Sequence, residues 1–121
     1  SFPKLYSAYT VAAISTKKNI DPDLAKRFVK GLQDALVYMQ KDEAGTIAIA
    51  KKEFPTLDPM VVESAVKRML KEQVYSTSVD VTPAAFKAAM QTQIDLGNLK
   101  GMPSYEGLIA RDYIKAALET K

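Results

Sequence analysis

Apolar residues recur at helical spacing along most of the chain, and three of these runs open the same way. "IDPDL" at 20–24, "LDPMV" at 57–61 and "VTPAA" at 81–85 each place a short oxygen-bearing side chain before a proline. Asp21, Asp58 and Thr82 can accept hydrogen bonds from the unsatisfied N–H groups of a first helical turn, and proline loses nothing at a position whose N–H has no partner in the helix. These are helix starts, and their local chemistry accounts for them as caps.

The first run predicts an amphipathic helix over 22–41, with Leu24, Phe28, Leu32, Ala35, Leu36 and Met39 on one face and Lys26, Arg27, Lys30, Gln33 and Asp34 opposite. A second helix is expected over 43–53, with Ala44, Ile47, Ala48 and Ala50 inward and Gly45 weakening it; Pro55 stops it by disfavouring helical geometry at Phe54. The third begins after Asp58, runs to about 73 and turns Val62, Ala65, Val66, Met69 and Leu70 inward, with a Glu63–Lys67 pair outside. "VYSTSVDV" reads as an extended loop or a short edge segment. A fourth helix over 83–96 buries Phe86, Ala89, Met90 and Ile94 and stops at Gly97. Ser104 caps a last helix carrying Leu108, Ile109, Tyr113, Ile114, Ala117 and Leu118.

Residues 5–16, "LYSAYTVAAIST", break the helical rhythm. Tyr9, Val11, Ala13 and Ser15 alternate with Thr10, Ala12 and Ile14, and both sets are largely apolar or aromatic, the pattern of a strand covered on both faces. A single strand cannot satisfy its own backbone, so this reading requires ladder partners outside the chain. The alternative reading is an apolar arm or the first turns of a poor helix.

Composition narrows the chemistry. The 121 residues suit one domain, and 47% hydrophobic content is enough for a core. Seventeen basic and fourteen acidic residues are interspersed, so the net charge of +3 makes no basic stripe and implies no nucleic-acid partner. Cysteine is absent, which excludes disulfides and thiolate metal sites, and histidine is absent, which removes the commonest general base and metal ligand. The acidic pairs Asp21/Asp23 and Asp42/Glu43 sit at helix starts, where the macrodipole favours negative charge. The five glycines are scattered and form no phosphate loop. No apolar run approaches the roughly 20 residues that span a bilayer, and "SFPKLYSAYT" is no signal peptide. If the protein is exported, its signal lies outside this chain, and Ser1 fits a processed or truncated start. An enzyme is not expected, and no cofactor or metal is implied.

The aromatic entrance to the predicted strand is the best ligand candidate. Tyr6 and Tyr9 offer apolar faces with polar tips, and Ser7 and Thr10 add hydroxyl donors. Partly buried strand residues would carry the same pattern.

The stretch "YTVAAISTKKNIDPDLAKRFVKGLQDALVYMQKDEAGTIAIAKKEFPTLDPMVVESAVKRML", with "IDLGNLKGMP" and "YIKAAL" further on, resembles the C-terminal part of the periplasmic solute-binding proteins of ABC transporters, in the branch serving nitrate, sulfonate, taurine and thiamine-precursor uptake. The resemblance covers nearly all of this chain but only the last third to two fifths of such a protein. It implies an α/β fold of two lobes when complete, with 1–16 as a strand near the hinge and 21–121 as a mainly α returning segment. It also implies a periplasmic or membrane-tethered protein that captures a small solute between its lobes and delivers it to ABC permease subunits. The missing sheet would come from the N-terminal part of the same protein, and Tyr6, Ser7, Tyr9 and Thr10 would neighbour the cleft. A related eukaryotic branch makes a thiamine pyrimidine with histidine chemistry that this chain lacks. The rival expectation is an independent all-α interaction module whose exposed apolar groove takes a partner helix or strand.

Overall fold

The computed structural model describes residues 12–119, and within them the chain is mainly helical, with no strand. Among the described residues six helices follow in order: α1 (Pro22–Lys41), α2 (Glu43–Glu53), α3 (Pro59–Lys71), α4 (Pro83–Asp95), α5 (Tyr105–Leu108) and α6 (Arg111–Glu119). The contacts divide the described residues into two units, one spanning Gly31–Val79 and the other combining residues 12–30 with residues 80–119.

The caps form as local chemistry dictates. Asp21 Oδ1 accepts the Leu24 N–H at 2.8 Å, Asp58 Oδ1 accepts that of Met60 at 2.7 Å, and Thr82 Oγ1 accepts that of Ala85 at 3.2 Å. Ser104 Oγ does the same for Gly107 at 3.1 Å. Gly97 ends α4 with φ of 78°, a left-handed conformation that glycine adopts without strain.

In the Gly31–Val79 unit, α2 and α3 pack through Ile47, Val62 and Val66, with Ala50 and Leu70 against them. Thr46 is buried beside this core and donates its hydroxyl to the Asp42 carbonyl at 2.8 Å, so its polar atom is satisfied. Glu63 on α3 ties the two helices from outside by accepting from Lys51 of α2 at 2.7 Å, and it also accepts from Lys67 one turn along α3 at 2.8 Å. After α3, Gln73 takes φ of 51°, and the following loop is irregular. It is anchored by the Val79 N–H, which donates to Gln33 Oε1 at 3.0 Å.

In the second unit, Ala25, Phe86, Ala89, Ile114 and Ala117 are the buried apolar residues among those described. Tyr105 stacks edge-on against Phe86 with centroids 5.3 Å apart and donates its hydroxyl to the Val81 carbonyl. Arg111 Nη1 pairs with the Asp80 carboxylate and also donates to the Tyr105 hydroxyl at 3.3 Å.

Three expectations are corrected. The strand expected over residues 5–16 is not among them: residues 12–16 carry no ladder here and are exposed, Ile14 by 66%, its ladder partners were expected outside the chain, and residues 5–11 lie outside the described part. The last helix is two, broken at Ile109, whose extended φ of −97° and ψ of 118° separate α5 from α6. Gly107 and the β-branched Ile109 weaken helix there, and the break accompanies the Tyr105 and Arg111 contacts to the 80–81 segment. On α1 the buried residue is Ala25, while Leu24 and Phe28 are each 52% exposed and Ala35 is exposed too. Ala44 and Ala48 of α2, and Ala65 and Met69 of α3, also face outward, since alanine is small enough to sit on either face at little cost.

Candidate functional site

Tyr6, Ser7, Tyr9 and Thr10 lie outside the described residues, so their arrangement as a cleft edge rests on the sequence alone. The acidic pairs resolve into structural roles where they are described. Asp21 caps α1, and Asp42 caps α2 by accepting the Gly45 N–H at 2.8 Å while its other oxygen accepts from Tyr38 Oη at 2.9 Å. The Gly45 amide first, and the Tyr38 hydroxyl second, hold the Asp42 carboxyl below its ordinary pKa. The same hydrogen bond raises Tyr38 above its ordinary value.

Glu63 is held down to about 2, chiefly by hydrogen bonds from Lys51 and then Lys67, so it is ionised across the physiological range. A carboxylate so firmly ionised and doubly engaged is a poor proton donor or acceptor near neutral pH. Arg111 is raised above its ordinary value, mainly by its hydrogen bond to Asp80. Among the described residues no three potential metal-ligating side chains gather, and no buried side-chain polar atom lacks a partner.

A concavity lies on the outward face of α3, a shallow open depression of about 420 Å³ lined by Asp58, Met60, Val61, Ser64, Ala65 and Arg68. It belongs entirely to the Gly31–Val79 unit and lies opposite the Val62–Val66 face that packs on α2. Met60 is 78% and Val61 60% exposed, so the floor is apolar and wet, with a carboxylate at one end and a guanidinium at the other. Arg68 engages Glu72 through Nε at 3.3 Å. Such a surface can hold an amphipathic segment; it lacks the enclosure that a small solute needs.

The sequence reading missed this face because it assigned Ala65 to the core and left Met60 and Val61 unassigned. The signal was present: Leu57, Val61, Ser64, Arg68 and Lys71 recur with spacings of four and three, a second stripe beside the buried one. No helix among the described residues is long and apolar enough to cross a membrane. Compared with known proteins, the chain matches no family model, no curated protein and no solved structure.

Proposed function

We propose that this chain is the C-terminal part of the substrate-binding component of an ABC importer. On this reading the complete protein is an α/β protein of two lobes, held outside the cytoplasmic membrane, which closes on a small solute and presents it to permease subunits. It has no catalytic activity, and the N-terminal part of the same protein supplies the sheet and most of the cleft. The solute is small and anionic, such as nitrate or a sulfonate, or a pyrimidine; the small positive net charge favours an anion.

The observation that carries the reading is a set of large apolar residues left uncovered in the early part of the second unit. Ile14, Leu24 and Phe28 are all more than half exposed, although they stand in a segment with an apolar pattern and on the longest helix. Leu24 and Phe28 stand one turn apart on α1, and exposed large apolar residues so placed suit a face that another part of the protein covers. The capped helix order also agrees with the segments that carry the resemblance.

Isothermal titration calorimetry of the full-length polypeptide that carries this segment, with nitrate, taurine, an alkanesulfonate and a hydroxymethyl-aminopyrimidine, tests the proposal. Saturable binding of one of them supports it. Absence of binding to all four by a cooperatively folded polypeptide contradicts it and favours the second reading, an independent helical interaction module. That reading draws on one observation, the exposed apolar face of α3.

A further inference from the structure

We propose that two copies of this chain associate through the outward faces of α3, packed antiparallel about a two-fold axis near Ser64 and Ala65. The inference is independent of the solute-binding reading, since it uses only residues of the Gly31–Val79 unit.

The face is complementary to itself in charge. Asp58 stands at the N-terminal end of α3, and Arg68 and Lys71 stand at the other end of the same stripe. A two-fold axis through the middle of the stripe brings the acidic end of each copy against the basic end of the other. Parallel packing would instead bring like charges together. Glu72 engages Arg68 through Nε, and the Arg68 side chain is 77% exposed, which leaves it accessible to a second copy. The antiparallel arrangement also opposes the two helix dipoles favourably.

The face is complementary in shape as well. Ser64 and Ala65 sit at its centre and are small and exposed, which lets two helix backbones approach to the roughly 8 Å of the closest packed pairs. Met60 and Val61 project to one side of that centre, where the symmetry places the aliphatic stem of the other copy's Arg68. An isologous contact of this kind closes as a dimer and does not propagate. One helix pair buries less than a standard interface, so the dissociation constant should be on the order of 100 µM.

Sedimentation equilibrium of the 121-residue chain from low micromolar to about 1 mM tests the proposal. The expected result is a monomer–dimer equilibrium that weakens with added salt. Ala65→Glu, which sets two carboxylates near the axis, should weaken it by at least about tenfold. Asp58→Asn keeps a competent cap while removing the charge, and Arg68→Glu reverses the other end; both should weaken it several-fold with helicity by circular dichroism unchanged. Phe28→Glu, on α1, should leave it unaltered. A monomer at every concentration, or a dimer indifferent to all three α3 substitutions, overturns the proposal.

Discussion

The Tyr38 hydroxyl donates a 2.9 Å hydrogen bond to Asp42 Oδ2 one helical turn later, and Oδ1 of the same carboxylate caps α2 through the Gly45 N–H. The corner between α1 and α2 is therefore built from two side chains and one backbone N–H that leave no room for a third side chain. A Cβ at Gly45 would lie 2.0 Å from Tyr38 Oη and 2.4 Å from Asp42 Oδ2.

Gly45→Ala should therefore behave unlike an ordinary glycine replacement in a helix. Alanine gains about 1 kcal/mol in helix propensity, but swinging Tyr38 away forfeits a hydrogen bond of about 0.5–1.5 kcal/mol and disturbs a cap of about 0.5–2 kcal/mol. The expected net effect in urea denaturation is a loss of about 1 kcal/mol. Gly31→Ala, where the added methyl meets nothing within 4 Å, should stabilise by about 0.5–1 kcal/mol.

The acid limb of stability should report on Glu63. Its folded pKa of about 2 lies below the ordinary 4.5, so the stabilisation is present in full above 4.5 and is lost as pH falls towards 2. Asp42 is depressed too and adds a loss in the same direction. Urea midpoints measured across that window should fall with pH in the wild type and fall less steeply in Glu63→Gln. Because the Glu63 side chain is 37% exposed, the effect should shrink in high salt.

Tyr105 separates two contributions that a single deletion would merge. Tyr105→Phe keeps the edge-on ring contact with Phe86 and removes only the hydroxyl contacts to Val81 and Arg111, for a loss of about 0.5–1.5 kcal/mol. Phe86→Ala removes a buried ring and should cost about 3–5 kcal/mol. Comparable losses for the two variants in thermal or urea unfolding would contradict this division.

At the proposed cleft, Tyr9→Ala in the full-length polypeptide should weaken solute binding more than it lowers stability. Asp58→Ala should do the reverse, costing about 0.5–2 kcal/mol of stability with affinity nearly untouched. Calorimetry and urea unfolding of both variants check the pair, and the opposite order would remove Tyr9 from the site.

Helix starts were legible because a cap is decided within four residues: Asp21, Asp58, Thr82 and Ser104 all accept the bonds their spacing promises. The break at Ile109 was not, because its neighbours Tyr105 and Arg111 bond to residues 24 and 31 positions earlier in the chain. Gln33 looked like a solvated residue of α1, yet its side chain holds the amide of Val79. The buried face of α1 was misjudged because periodicity detects that a stripe exists without saying what covers it, and Leu24 and Phe28 are uncovered by the described residues. The candidate cleft was read from tyrosine and hydroxyl chemistry at 6–10, outside the described residues.

The most direct test of the central claim is amide hydrogen exchange across residues 12–18, compared between the 121-residue chain and the full-length polypeptide. If the segment joins a sheet completed by the N-terminal part, its amides exchange rapidly in the chain alone and become protected in the full-length polypeptide. Equal exchange in both would contradict the account, and with a cooperatively folded 121-residue chain it would favour a self-sufficient helical module.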